Sequence, residues 1–206
     1  LESEKPYEII LTPGVPVDIR PLIDDAPIAL DDVYILWSDG RSWRKGALPE
    51  KTAHGSLRLS AMPPGANSVL VVKLDGERAT HSSKITDFEL TAGEPKTIDV
   101  PLRPTLRIEG VLSDNVPRPV RKGRVSITTV PPAGAAANRV LWLSWTAIQP
   151  DGTFVIDGWP ADEPVQLIAL CDGYIATSGR APEVVKNPPD PKKDGFNRPQ
   201  VFDPDE

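Results

Sequence analysis

The side chains best suited to acid–base or nucleophilic chemistry are few in this sequence and lie far apart. It contains two histidines, His54 and His81, and one cysteine, Cys171. Ser82 follows His81 directly, but neighbouring residues of a strand point to opposite faces, and no G-x-S-x-G nucleophile motif occurs. Two distant histidines and one cysteine do not supply the four ligands of a zinc site. We therefore predict no catalytic residue, no metal site and no cofactor, and we expect the chain not to be an enzyme.

Two pairs of aspartates, Asp24-Asp25 and Asp31-Asp32, form an acidic segment in the first half of the chain. Calcium prefers carboxylate oxygens, but calcium loops space them as D-x-D-x-D-G, and that spacing is absent here. No metal is expected at these aspartates.

Basic residues cluster in one place, at Arg118, Arg121, Lys122 and Arg124. Such a cluster is able to meet phosphate or an acidic glycan, but it also fits a solvated loop that leads into a strand, which we favour. The whole chain carries a net charge of −6, whereas nucleic-acid-binding domains show a basic footprint. No nucleic-acid partner is expected.

Tryptophans are the main candidates for ligand binding. Trp37 and Trp43 flank the turn Ser38-Asp39-Gly40, which favours a hairpin with both indoles on one face. Trp142 and Trp145 form a second candidate pair. Exposed indoles would make a platform for stacking on a sugar, whereas buried indoles supply the core of a small sandwich. We favour the core for Trp37 and Trp43, and we keep all four tryptophans as candidate ligand-binding residues.

The elements that must position these side chains are predicted to be β-strands. Proline accounts for 24 of 206 residues, roughly twice the usual ~5%. Each proline removes a backbone donor and restricts φ, which disfavours long helices. Residues 148–174 show the pattern best, because alternating apolar runs at 153–156 and 165–170 are separated by turn signals such as Gly158-Trp159-Pro160. An all-β fold follows.

This unit occurs twice in the chain. An offset of 97 residues places residues 55–80 on residues 152–177 without a gap, so that Gly55 falls on Gly152. Upstream, the offset changes to 91 or 92 residues. We predict two tandem immunoglobulin-like or transthyretin-like antiparallel β-sandwiches.

The predicted domains are a first sandwich at 1–103, a second at 104–180 and a proline-rich C-terminal segment at 181–206. The connection at residues 101–104 is short and rich in proline, so the sandwiches are expected to hold a defined angle. The C-terminal segment has the composition of a linker or tail. We expect it to pack on the second domain, with residues 184–185 or 200–202 completing a sheet.

Residues 135–148 fit two different structures. A run of three alanines and the spacing of Leu141, Trp145 and Ile148 favour a helix. Leu141, Leu143 and Trp145 also alternate as in a strand, and the position of the segment in the repeat favours a strand. We favour the strand.

Residues 108–174 carry a longer pattern of turns and strands, made of Gly110-Val111, residues 114–120, Val125-Ser126-Ile127, Asp151-Gly152-Thr153-Phe154, Trp159-Pro160, residues 165–169 and Gly173-Tyr174. The pattern resembles the carboxypeptidase regulatory-like domain, a transthyretin-like β-sandwich. It departs from that family at the first turn, which lacks its glycine, and at Ala161-Asp162, which replaces Pro-Gly. Residues 9–102 resemble the family more faintly. The resemblance implies the fold and little about function, because such modules are attached to many enzymes, receptors and surface proteins.

Three functions are compatible with these features. We favour a non-catalytic structural or interaction module of a larger exported bacterial protein, attached to other domains and with a protein or glycan partner. A carbohydrate-binding module using the tryptophans is the alternative, and a hydrolase is the second alternative. The chain begins at Leu1 and not at a methionine, so we expect a piece of a longer, extracytoplasmic protein. No apolar run reaches the roughly 18–20 residues that span a bilayer, and we expect no membrane insertion by this fragment.

Overall fold

The computed structural model describes residues 13–37, 49–136, 139–171, 174–175 and 200–202. Within these ranges every regular element is a β-strand, which confirms the predicted all-β class. The strands are β1 (Val15–Ile23), β2 (Ala26–Pro27), β3 (Val33–Trp37), β4 (Glu50–Lys51), β5 (Leu57–Met62), β6 (Gly65–Asp75), β7 (Arg78–Ser83), β8 (Thr86–Leu90), β9 (Lys96–Pro104), β10 (Leu106–Val111), β11 (Gly123–Thr129), β12 (Leu143–Ala147), β13 (Thr153–Trp159), β14 (Val165–Cys171), β15 (Tyr174–Ile175) and β16 (Gln200–Phe202). The described residues include no helix with the length and apolar character of a membrane span.

Strands β1 to β9 form the first sandwich, in which β9 belongs to both layers. One layer has the order β4-β5-β1-β9 and the other β3-β6-β7-β9, with β8 also paired to β6. β9 joins the layers because its residues 96–101 pair with β1 and its residues 102–104 pair with β7. β1 and β9 run parallel, while the other pairs are antiparallel. The buried core consists of Val15, Val17, Ile19, Val33, Ile35, Leu57, Leu59, Met62, Val69, Val71, Leu90, Val100 and Leu102.

Strands β10 to β16 form the second sandwich. The antiparallel pair β10–β13 packs on a sheet of order β12-β11-β14, and β15 and β16 both pair with the far side of β14. β16 confirms that residues 200–202 complete a sheet, whereas residues 184–185 lie outside the described ranges. The buried core consists of Val116, Val120, Val125, Ile127, Ile148, Ile156, Trp159, Val165 and Cys171.

The strand pairings of the first sandwich recur in the second. The pair β1–β5 corresponds to β10–β13, so that Ile19 faces Leu57 in one and Gly110 faces Phe154 in the other. In the same way, β3–β6 corresponds to β11–β14, and β6–β7 corresponds to β14–β15. The chain therefore folds as two tandem β-sandwiches built on one plan.

Two segments depart from the pattern of alternating apolar strands. β7 has the polar sequence RATHSS, yet it lies inside its sheet between β6 and β9. In the second sandwich, residues 139–142 have no regular structure and residues 143–147 form β12. The strand that we preferred over a helix at 135–148 is therefore confirmed for its C-terminal part, and residues 137–138 lie outside the described ranges.

Candidate functional site

A third apolar cluster lies between the two sandwiches and joins them. Its buried members are Leu70, Val72 and Ile85 of the first sandwich and Val140 of the second. Val140 is only 2% exposed although it lies in a segment without regular structure. Its backbone N–H donates a hydrogen bond to Ser68 Oγ at 2.7 Å. The partly buried residues around this cluster are Leu36, Leu74, Ala79 and Trp142.

The side chain of Glu163, a residue of the second sandwich, contacts the first sandwich. Its side chain is 2% exposed, and its Oε1 accepts a hydrogen bond from the backbone N–H of Ile85 at 2.7 Å. Its own carbonyl accepts a hydrogen bond from the Trp159 indole at 2.9 Å, which fixes the turn that carries it. Glu163 therefore supplies an acceptor to a buried N–H that belongs to no strand.

Arg139 is the second buried charge between the sandwiches, with a side chain that is 4% exposed. Its Nε donates to both carboxylate oxygens of Asp87 at 3.1 and 3.0 Å, and its Nη2 donates to the carbonyl of Ile85 at 3.3 Å. Nη2 also lies 3.6 Å from Oε1 of Glu163. One guanidinium thus faces a carboxylate from each sandwich. We refer to Arg139, Val140, Glu163 and the first-sandwich residues that they contact as the joint.

Contacts beside the linker continue the joint. The backbone N–H of Thr105 donates to the carbonyl of Thr80 at 3.0 Å, and its Oγ1 donates to the carbonyl of Ala79 at 2.7 Å. Arg103 and Asp162 form an ion pair at 2.6 Å, more exposed than the buried charges of the joint. The linker is therefore attached to the first sandwich as soon as β9 ends.

The charges of the joint define geometry more than they add stability. Removing a carboxylate and a guanidinium from water is costly, so a buried ion pair often contributes little compared with apolar residues of the same size. A different orientation of the two sandwiches, however, would separate the carboxylate from the guanidinium and leave a buried charge uncompensated, at a cost of several kcal/mol. The apolar cluster and the buried charges together favour one relative orientation of the sandwiches.

The four candidate tryptophans have different environments. Trp37 ends β3 and packs, partly buried, against the first core. Trp142 is also partly buried, where the second core meets the joint. Trp145 is 67% exposed in β12, and Trp43 lies outside the described residues. Among the tryptophans that the structure describes, Trp145 is therefore the one that presents its indole to solvent.

Trp145 lies in an exposed apolar face of the second sandwich. Leu143, which is 64% exposed, is two residues away in β12 and so points to the same side. Two strands further into the sheet, Leu170 is 37% exposed on that side. Ser126 and Arg124 of β11 lie between them on that side. We refer to the exposed apolar side chains of the strand itself, Leu143 and Trp145, as the β12 face.

The residues suited to catalysis do not converge in the described part of the structure. His81 lies in β7 with Nδ1 3.2 Å from Thr80 Oγ1, while the next residue, Ser82, is 1% exposed on the opposite side of the strand. His54 lies in the turn before β5, and Cys171 is buried in the second core. No group of three or more histidine, cysteine, aspartate or glutamate side chains among the described residues is placed to hold a metal ion.

The aspartates of residues 24–32 lie in turns. Asp24, Asp25 and Asp32 have positive φ angles of 50°, 59° and 57°, a left-handed conformation that aspartate tolerates better than most residues. Asp31 pairs with Lys51 at 2.7 Å, and the hydrogen bond from that lysine lowers the pKa of Asp31. These residues form the turns before and after β2.

Arg118 of the basic cluster binds backbone carbonyls. Its Nε donates to the carbonyl of Asp151 at 2.8 Å, its Nη2 donates to that of Leu112 at 2.7 Å, and its Nη1 donates to that of Val116. The guanidinium thereby connects the loop after β10 with the turn before β13. Its hydrogen bonds are used within the fold, so Arg118 holds the loop in place rather than simply meeting solvent.

Two arginine–aspartate pairs lie directly across neighbouring strands of the first sandwich. Arg58 donates to Asp18 at 2.8 and 2.7 Å, and Arg20 donates to Asp99 at 2.5 and 2.7 Å. In each pair the hydrogen bond from arginine is the main cause that lowers the pKa of the aspartate. These pairs connect β1 to β5 and to β9.

No protein-family model matches this chain, and no curated protein sequence matches it. The streptococcal ancillary pilin is similar in structure, with 14% identity and a TM-score of 0.33 over 93% of this chain and 59% of that one, so the chain spans 59% of that pilin. The shaft pilin SpaA from Lactobacillus rhamnosus GG has 15% identity and a TM-score of 0.27 over 82% of this chain and 92% of that one. A tetra-tandem repeat from the extending region of a large adhesion protein has 16% identity and a TM-score of 0.20 over 77% and 45%.

Proposed function

We propose that this chain is a non-catalytic structural module of a larger exported bacterial protein, in which the two sandwiches act as one stiff spacer between attached domains. The observation that carries this proposal is the joint. Independent domains on a flexible connection would leave Arg139, Val140 and Glu163 in water, whereas here all three are buried against the first sandwich. A core shared by both sandwiches, with buried charges that face each other across it, transmits orientation from one sandwich to the next.

The placement of the reactive side chains supports a role without catalysis. Ser82 is buried on the opposite side of β7 from His81, and Cys171 is part of the second core. A hydrolase needs a nucleophile within hydrogen-bond reach of its base. One hydroxyl, Thr80 Oγ1, lies 3.2 Å from His81 Nδ1, but it donates its own hydrogen bond to the carbonyl of Lys73 at 3.3 Å. These polar groups are better explained as parts of β7 and its sheet.

The domain limits of this spacer are also part of the proposal. We place the first domain at 1–103, the second at 104–180 and a C-terminal segment, packed on the second domain through β16, at 181–206. The first boundary falls one residue before the end of β9 at Pro104, and β10 starts at Leu106. Membership of the carboxypeptidase regulatory-like family and an extracytoplasmic location belong to the proposal as well. The glycine-bearing strand β10 and the paired strand β13 support the family assignment.

Backbone ¹⁵N relaxation tests the stiffness of the spacer. We expect both sandwiches of the wild-type chain to share one rotational correlation time, because the joint makes them tumble together. Val140→Asp places a charge in the apolar cluster and should separate the sandwiches, so that each tumbles independently with its own, shorter correlation time. Val111→Asp is the matched control, since Val111 is 66% exposed at the end of β10, outside both the joint and β12, and it should leave the common value unchanged. Separate correlation times in the wild-type chain would contradict the proposal.

A second candidate function is carbohydrate binding, and the 67% exposure of Trp145 favours it. An exposed indole stacks on the apolar face of a sugar ring, and Leu143 beside it widens the apolar surface. Chemical-shift titration with a panel of soluble oligosaccharides tests this function. Shifts centred on β12 that Trp145→Ala abolishes would support it. Unchanged spectra at millimolar sugar would exclude Trp145 as a site for the sugars tested.

A further inference from the structure

The edge of β12 that faces away from β11 presents the backbone N–H and C=O groups of alternate residues. Ile148 N–H donates to the carbonyl of Gly123 at 3.0 Å, and Thr129 N–H donates to the carbonyl of Trp142 at 2.9 Å. These bonds identify hydrogen-bonded pairs at the two ends of the β11–β12 ladder. Along antiparallel strands such pairs alternate with pairs that are not hydrogen-bonded to each other. The N–H and C=O groups of residues 143, 145 and 147 therefore point away from β11. Among the described strands, β12 pairs with β11 alone.

β12 lacks the features that protect other edges of this chain. Strand edges are usually guarded against association by charged side chains, prolines or very short length. β4 consists of only Glu50–Lys51, and β10 carries Arg107 and Glu109. β12 has the sequence LSWTA, without a charge or a proline, and its outward residues Leu143 and Trp145 are more than half exposed.

We propose that β12 pairs antiparallel with β12 of a second copy of this chain, with the two-fold axis at Trp145. In this register Trp145 faces Trp145 of the second copy, and Leu143 faces Ala147. Residues 143, 145 and 147 all become hydrogen-bonded pairs, so every outward N–H and C=O of the strand finds a partner. The sheets of the two second sandwiches then continue across the axis.

In this register the side chains of β12 are compatible with those of the antiparallel β12 of the second copy. The apolar residues of the β12 face meet apolar residues, and an indole pair across the axis adds aromatic contact. Ser144 faces Thr146 of the second copy on the inner side, where both are polar. No like charges meet within the strand, so a second copy fits this edge without repulsion.

The contact is smaller than a standard interface. A single strand edge falls below about 1,200 Å² of total buried surface, the class of weak and transient contacts. We expect the association to depend on concentration and to be measurable at about 1 mM chain, where a free energy of about −4 kcal/mol suffices. The proposal uses a different surface from the joint and does not depend on the spacer function.

Complementary charge variants test the register. In sedimentation equilibrium, the wild-type chain should show a rising mean mass up to about 1 mM. Trp145→Lys and Trp145→Glu should each remain monomeric, because like charges would face each other across the axis. An equimolar mixture of the two variants should associate at least tenfold more tightly than either variant alone, because opposite charges then meet.

Two controls separate association from folding and from the joint. Trp145 is exposed, so both charge variants should keep the unfolding midpoint of the wild-type chain. Val140→Asp should loosen the joint and leave the association unchanged. A wild-type chain that remains monomeric at 1 mM would overturn the proposal, and so would a mixture of variants that associates no better than its components.

Discussion

The carboxylate of Glu163 accepts a hydrogen bond at 2.7 Å from the backbone N–H of Ile85, which lies 78 residues away in the other sandwich. The contact is buried, and it leaves neither group accessible to water in the assembled chain. Arg139 lies beside it and meets carboxylates from both sandwiches. The relative position of the sandwiches is thus fixed by groups that are costly to bury alone.

Removing the Glu163 carboxylate should destabilise the joint. Glu163→Ala leaves Arg139 with one carboxylate fewer and the N–H of Ile85 without an acceptor, so we expect a loss of about 3–5 kcal/mol in the free energy of unfolding. Glu163→Gln keeps an acceptor and should cost less. Urea denaturation measures both variants.

Asp162→Asn is the control for this prediction. It removes the charge of a neighbouring residue whose pair with Arg103 is more exposed, and asparagine tolerates the φ of 64° found there. We expect a change of about 0–1 kcal/mol. A loss for Glu163→Ala no larger than this would show that the buried contact does not stabilise the chain.

Truncation of Val140 tests the apolar part of the joint. Val140→Ala removes buried methyl groups from the cluster with Leu70 and Val72, and it should cost about 1–3 kcal/mol of unfolding free energy. Leu143→Ala, in the exposed part of the same segment, should change it by about 0.5 kcal/mol or less. Thermal or urea unfolding gives both values, and equal effects would count against a packed joint.

Position 110 accommodates only glycine because the Phe154 ring lies over it. Gly110 faces Phe154 across the β10–β13 pair, and a Cβ at Gly110 would overlap the Phe154 ring. Gly110→Ala should therefore cost about 1–3 kcal/mol through overpacking. In the double variant Gly110→Ala/Phe154→Leu the two losses should be less than additive, because the smaller side chain relieves the overlap. Full additivity in a denaturation cycle would contradict this account.

Stability should fall in acid because of the paired aspartates. The pKa values of Asp18 and Asp99 are lowered in the folded chain by hydrogen bonds from Arg58 and Arg20. Their contribution is fully present above the unfolded pKa of about 3.9 and is lost as the pH falls through the lower folded values. The urea midpoint should be insensitive to these groups above about pH 5 and should decrease below about pH 4.

The double variant Asp18→Asn/Asp99→Asn isolates that effect. We expect it to be less stable at neutral pH and to show a shallower decrease between about pH 5 and pH 2, because the two titrating groups are gone. The same series of urea unfolding curves measures it. An unchanged slope would mean that other carboxylates cause the acid sensitivity.

The strands and their repetition could be predicted from the sequence because apolar residues alternate between strong turn signals. Residues 55–80 and 152–177 align without a gap, and the described parts of the two ranges form matching strand pairs. β7 escaped prediction because its sequence RATHSS carries no apolar alternation. Its place inside the sheet depends on pairing with β6 and β9, which the local sequence does not encode.

The joint could not be predicted from the sequence. Arg139 and Glu163 are charged residues in segments without strands, and such residues are mostly exposed. Their burial depends on the surface of the other sandwich, which no local pattern describes. Trp142 and Trp145 looked alike in sequence, and their different exposure follows from their positions just before β12 and in its middle.

The parallel pairing of β1 with β9 determines how the first sandwich responds to a pulling force. The chain enters β1 at Val15 and leaves β9 at Pro104, and parallel strands place these two points at opposite ends of the paired region. Tension between them acts along both strands and loads the hydrogen bonds of residues 17–22 with residues 96–101 in shear. Those bonds must then break together and not one after another, so this pair of strands gives the first sandwich its mechanical resistance.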